Sequence, residues 1–165
     1  MMPAAPRRHA APRGFTLMEM LVTLSLLGLM AMLAAPLAEM TVQRSREQDL
    51  RLALREIRTA LDRYRLASEQ GLIERRVGDS GYPPDLEVLV SGVPNIKSPS
   101  RDRLYFLRRV PRDPFAPVEL EPASATWGLR SYASGPDSPS AGSDVFDVFS
   151  RSPETGANGV AYRDW

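Results

Sequence analysis

Between Phe15 and Ala38 the chain reads FTLMEMLVTLSLLGLMAMLAAPLA, and Glu19 is the only ionisable side chain in that run. A segment apolar on all sides cannot be left in water; as a helix it needs lipid or protein around its whole circumference. Residues 15–38 would extend about 36 Å as a helix, enough to cross a hydrocarbon core of about 30 Å. Arg7, Arg8, His9 and Arg13 precede the run, and residues 1–14 carry no acid. A basic flank stays on the cytoplasmic side, which predicts a single pass with the C-terminal bulk beyond the membrane. A secretory signal peptide is one competing reading, since Ala34, Ala35 and Ala38 could serve as a small-residue cleavage site. A plain signal anchor is another. The stretch is long for a signal peptide, and a carboxylate near its start is foreign to one. Glu19 is the discriminating residue: a carboxylate in an apolar helix costs about 2.5–3.5 kcal/mol on insertion scales and therefore calls for a partner.

The run Gly14-Phe15-Thr16-Leu17-Met18-Glu19 resembles the processing site of type IV pilins and type II secretion pseudopilins. In that family a prepilin peptidase cuts after the glycine, the new N-terminal residue is methylated, and a glutamate stands shortly after the cut. The resemblance implies cleavage between Gly14 and Phe15 and N-methylation of Phe15. It also implies an assembly role for Glu19, whose carboxylate would face the Phe15 amine of a neighbouring subunit. Gly28 and Pro36 fall where the family commonly has a glycine and a helix-breaking proline. An interior proline costs about 3 kcal/mol and a glycine up to about 1 kcal/mol, so residues 28–36 are a stretch able to bend or melt as a subunit leaves the bilayer. A simple proline kink near the membrane exit is the plainer account of Pro36.

Beyond Pro36, Leu50, Leu54, Ile57, Leu61 and Tyr64 recur at helical spacing, with Ala53, Ala60 and Ala67 on flanking positions. This is one apolar stripe on a charged helix, predicted to run to about Gln70 and to stop at Gly71. Glu47 with Arg51, and Arg58 with Asp62, are spaced to pair across one turn, each pair worth about 0.2–0.5 kcal/mol. The stripe needs a cover, which the residues after 80 must provide; a heptad dimer is the alternative, disfavoured because the pattern lasts only about two to three heptads.

Most of the chain's 15 prolines lie after Tyr82 or in the first 14 residues, which makes the C-terminal half rich in loops. Pro84 can open a short helix through Val90, with Leu86, Leu89 and Val90 inward. Residues 104–107, 128–133 and 145–149 read as three short antiparallel strands, the last alternating Val145, Asp147 and Phe149 against Phe146 and Val148. The order of these pieces resembles the major pseudopilin of type II secretion. The matching segments are Tyr82-Pro83, Pro111-Arg112-Asp113-Pro114-Phe115, Tyr132-Ala133-Ser134-Gly135-Pro136-Asp137 and Asp147-Val148. The implied fold is α+β and pilin-like: a long N-terminal helix, its first half transmembrane, packed against a small C-terminal antiparallel β-sheet. Residues 1–14 would be the cleaved leader, 15–38 the membrane and filament-core segment, and 39–150 the periplasmic domain. Residues 151–165 would be a flexible tail, on which Trp165 could still dock.

That branch of the family carries a structural calcium ion in the loop after the tyrosine, and the resemblance implies Asp137, Asp144 and Asp147 as its ligands. The chain departs from the family pattern there, with Asp137-Ser138-Pro139 in place of Asp-Gly, and a solvated Asx-turn loop explains the same residues. No other cofactor is implied. His9 is the sole histidine and cysteine is absent, which excludes histidine-dependent and thiol catalysis in a processed chain. A net charge of +1 gives no field for nucleic acid. The function implied by the resemblance is a structural subunit of a type II secretion pseudopilus in the bacterial inner membrane. Its partners would be further copies, other pseudopilins, the prepilin peptidase and the inner-membrane assembly platform. A type IV pilin or minor pseudopilin is the near alternative, though pilins usually end in a disulfide-closed loop. A membrane-tethered enzyme or binding module is the alternative of another class; no nucleophile with a base and no phosphate loop supports it.

Overall fold

The computed structural model describes residues 14–135 and 138–165. The chain divides into two compact units, Met1–Val42 and Gln43–Trp165, and helix α1 (Leu17–Glu69) contributes residues to both.

In the first unit, every side chain described from Phe15 to Met32 is exposed. The helix satisfies its own polar groups there. The Thr23 hydroxyl donates to the Met20 carbonyl at 3.0 Å, and the Ser25 hydroxyl donates to the Leu21 carbonyl at 2.8 Å. Neither hydroxyl therefore requires water.

In the second unit the predicted stripe is the core. Leu50, Leu54, Ile57, Leu61, Tyr64, Ala53, Ala60 and Ala67 are all buried, against Leu86, Leu89, Leu107, Trp127, Val145, Val148 and Tyr162. Fully burying one such leucine stabilises by about 1.5–3 kcal/mol relative to leaving it in water, which is why the spacing of the stripe governs the packing. Helix α1 ends as the sequence predicts. Gly71 takes φ +66°, its N–H donates to the Ser68 carbonyl at 3.0 Å, and the Leu72 N–H donates to the Ala67 carbonyl at 2.9 Å. This is a Schellman closure, and it needs a residue without a Cβ penalty in the left-handed region.

The architecture is α+β and pilin-like, a long N-terminal helix packed on small antiparallel β-structure. The β-structure differs in detail from the expected three strands. Among the described residues it comprises two separate two-stranded pairs: β1 (Val93–Pro94) with β2 (Arg103–Leu104), and β3 (Trp127–Arg130) with β4 (Asp147–Ser150). Residues 105–107 do not continue β2, because the N–H groups of Phe106 and Leu107 both turn to the Leu89 carbonyl at 3.0 Å. That carbonyl belongs to the short helix α2 (Glu87–Ser91), which starts later than expected but buries Leu86 and Leu89 as expected. Val145 also leaves the predicted strand, since its N–H donates to the Pro83 carbonyl at 2.8 Å. Between the two pairs, Pro111, Pro114, Pro117 and Pro122 supply no N–H groups, so no ladder can join them through that stretch. Across β3 and β4, Gly128 faces Phe149, whose ring would lie 2.3 Å from any Cβ placed there. The glycine is thus a seat for an aromatic ring.

The motif Pro111–Phe115 is a half-buried bracket around Asp113. The Asp113 carboxylate is almost fully buried; it accepts the Ser150 hydroxyl at 2.6 Å and the Phe115 N–H at 2.9 Å. The Trp127 indole donates to the Pro111 carbonyl at 2.8 Å. It ties β4, β3 and the proline-rich connection together.

Residues 151–165 correct the expectation of a flexible tail. Thr155 and Ala161 form an antiparallel bridge, the Gly156 N–H donates to the Val160 carbonyl at 2.9 Å, and Tyr162 is 0 % exposed. The Tyr162 ring stacks on Phe115 with centroids 4.1 Å apart, and Trp165 meets it edge-on at 5.0 Å. Gly156 and Gly159 close a tight turn beside the docked aromatic pair, the Gly159 N–H donating to the Gly156 carbonyl at 2.9 Å.

Candidate functional site

The predicted processing junction lies just ahead of the helix. Gly14 is outside any helix or strand, with no atom of the described residues other than its chain neighbours within 4 Å of the position a Cβ would take, and Phe15 is 77 % exposed. Thr16 then starts the helix. Its hydroxyl accepts the Glu19 N–H at 3.2 Å, and its carbonyl accepts the Met20 N–H at 3.1 Å. Thr16 is therefore the N-cap, and Thr16-x-x-Glu19 has the spacing of a capping box. This role of Thr16 was readable from the spacing but is masked by the processing motif that overlaps it. The Glu19 carboxylate is exposed in the first turn, where the helix dipole favours negative charge, and among the described residues no cation pairs with it. Gly28 has open space around its Cα. Pro36 falls within the span of α1, but its side chain, like those of residues 33–39, is outside the described ones.

Among the described residues, no helix is long and apolar enough to cross a membrane. Leu17–Met32, the stretch of α1 whose apolar side chains are described, rises about 24 Å, short of a core of about 30 Å. The predicted span to Ala38 also needs residues 33–38. The basic residues Arg7, Arg8, His9 and Arg13 lie outside the described residues as well.

Of the three aspartates expected to share a metal, two lie among the described residues, and each is engaged by protein groups. Asp137 lies outside the described residues. Asp147 is the partner of Arg58, whose Nε donates to its Oδ1 at 2.8 Å. Asp144 accepts the Ser131 hydroxyl at 2.6 Å and the Tyr132 N–H at 2.9 Å on Oδ1. Burial would push the Asp144 carboxyl up, but the hydrogen bonds from Ser131, Ser80 and the Tyr132 N–H outweigh it and hold it below the ordinary carboxylate range. Among the described residues no three acidic or histidine side chains are placed to hold a metal ion.

The expected one-turn ion pairs are replaced by longer-range contacts. The Glu47 side chain is almost buried, and its Oε1 accepts the Tyr162 hydroxyl at 3.1 Å and the Ala157 N–H at 2.9 Å. Burial first, and the Glu47 carboxylate among further causes, push the Tyr162 phenol above its ordinary value. Arg58 binds Asp147 and also donates to the carbonyls of Val148 at 3.2 Å and Trp165 at 2.8 Å, while Arg51 sits 4.3 Å over the Trp165 ring. Tertiary partners outcompete the neighbours one turn away because an exposed one-turn pair is worth only a few tenths of a kcal/mol. Among the described residues, the one-turn pair that does form is Arg65 with Glu69 at 2.8 Å.

Residues 10–35 match the family described as the prokaryotic N-terminal methylation motif. The match covers Gly14, Phe15, Glu19 and Gly28 and ends just before Pro36, and it supports a type IV pilin-like protein with prepilin-type processing. No curated protein and no solved structure matches the chain.

Proposed function

We propose that this chain is a structural subunit of a type II secretion pseudopilus, made with a leader that a prepilin peptidase removes between Gly14 and Phe15. The observation that carries this reading is the bare apolar helix beginning at Leu17, with a lone carboxylate in its first turn and an open Gly14–Phe15 junction just ahead of it. Before assembly, lipid of the inner membrane covers that surface, with one pass and the second unit in the periplasm. In the filament, the apolar faces of other copies and of further pseudopilins replace the lipid. Peptide hydrolysis after Gly14 releases the α-amine of Phe15, which is largely cationic near neutral pH, and methylation keeps it basic. That amine neutralises Glu19 of a neighbouring copy, offsetting a burial cost of about 2.5–3.5 kcal/mol. The inner-membrane assembly platform supplies extraction, and the chain itself has a packing role without catalysis.

Glu19→Ala tests the assembly step: the variant should remain in the membrane fraction and be processed normally, while filament formation on overproduction is lost. Unchanged filaments would remove the charge-partner role of Glu19. The secretion assignment is tested separately by deleting the chain from its host. Folded exoproteins should then accumulate in the periplasm; intact export together with lost surface pili would identify a type IV pilin instead.

A further inference from the structure

We propose that Ser131 and Asp144 close the base of their loop with protein hydrogen bonds and that this base takes no divalent cation, in departure from the calcium site that the pseudopilin resemblance implies. Ser131 is the hub of the closure. Its hydroxyl donates to Asp144 at 2.6 Å and its N–H donates to the Ser140 carbonyl at 2.9 Å. Its carbonyl accepts the Ser134 N–H at 3.0 Å and the Ser134 hydroxyl at 2.8 Å. Gly142 rests directly on this hub, and a Cβ there would lie 2.6 Å from the Ser131 hydroxyl oxygen. The base of the loop is filled by protein, with the Asp144 carboxylate acting as the staple.

The surrounding charges also disfavour a cation. Calcium takes six to eight oxygen ligands, normally with several carboxylates among them. Asp147 is already neutralised by Arg58 at 2.8 Å and accepts the Val148 N–H at 2.8 Å. The cavity of about 850 Å³ beside Asp144 is lined by Arg65, Arg75 and Arg76, with Asp79 as the other acid. Such a lining repels a divalent ion at the mouth of the loop. Asp137 is the one expected ligand outside the described residues, and the experiment addresses it directly.

The test uses the full chain in detergent, with thermal unfolding followed in excess chelator and again in millimolar calcium. The wild-type midpoint should agree between the two conditions within about 1 °C. Ser131→Ala and Asp144→Asn should each lower it by roughly 3–8 °C, equally with and without calcium, because each removes a hydrogen bond to a charged group. A rise of several degrees in the wild type on adding calcium would overturn the proposal, and its loss in Asp137→Ala would put the cation on Asp137. Full-strength midpoints in both hub variants would overturn the staple. Calorimetric titration of the wild type with calcium alone gives a reading independent of any variant's folding: no saturable heat is expected, and a saturable one contradicts the proposal. None of these outcomes bears on processing at Gly14, which is read separately.

Discussion

Leu24 and Leu54 are the same residue on the same helix, yet Leu24 is 63 % exposed and Leu54 is 2 % exposed. The residues around Leu54 alternate with charge, so this part of α1 shows one apolar face, and the chain covers that face with its own α2, β3, β4 and C-terminal segment. The residues around Leu24 are apolar on every side, and every side chain described from Phe15 to Met32 is exposed. The difference teaches where each part finds its solvent: the second within the chain and, on the function proposed above, the first in lipid or in other copies of the helix.

The comparison can be broken most forcefully in the core. Leu54→Ala or Leu61→Ala should destabilise the second unit by about 2–5 kcal/mol in denaturant unfolding, whereas Leu24→Ala should leave that transition within about 0.5 kcal/mol. Equal effects would mean that the two stretches share a core. Next in size is the polar clasp. Glu47→Ala leaves the Tyr162 hydroxyl and the Ala157 N–H without their acceptor, which should cost about 1–3 kcal/mol and expose residues 151–165 to protease. Unchanged proteolysis would contradict the docking of that segment. Gly71→Ala should cost about 1 kcal/mol, since the replacement must hold φ +66° at the end of α1.

A pH series sharpens the same picture at the loop. The folded-state pKa of Asp144 is depressed, so its contribution is present above the unfolded value near about 3.9 and is lost as pH falls through the lower folded value. The thermal midpoint of the wild type should therefore drop in acid more steeply than that of Asp144→Asn. Parallel profiles would show that this carboxylate carries no linkage.

How much of this was legible in the sequence follows the same division. The stripe from Leu50 to Ala67 and the stop at Gly71 were readable because helical periodicity and left-handed glycine are local rules. The methylation motif that contains Gly14, Phe15 and Glu19 was readable because it is a contiguous string. The partners of Glu47 and Arg58 were not, since Tyr162, Asp147 and Trp165 are remote in sequence and only the fold brings them near. The strand boundaries failed for a related reason: residues 105–107 and Val145 spend their N–H groups on Leu89 and Pro83, which no period-two pattern reveals. The tail was misjudged because Gly156 and Gly159 suggest freedom, whereas Tyr162 uses the turns they allow to reach the core.

The most direct test of the central claim is the intact mass of the membrane-extracted protein from a host with an active prepilin peptidase. The account predicts a chain that begins at Phe15 and carries one added methyl group on its amine. A mass that retains residues 1–14, or a chain cut near Ala38 and released from the membrane, would contradict it.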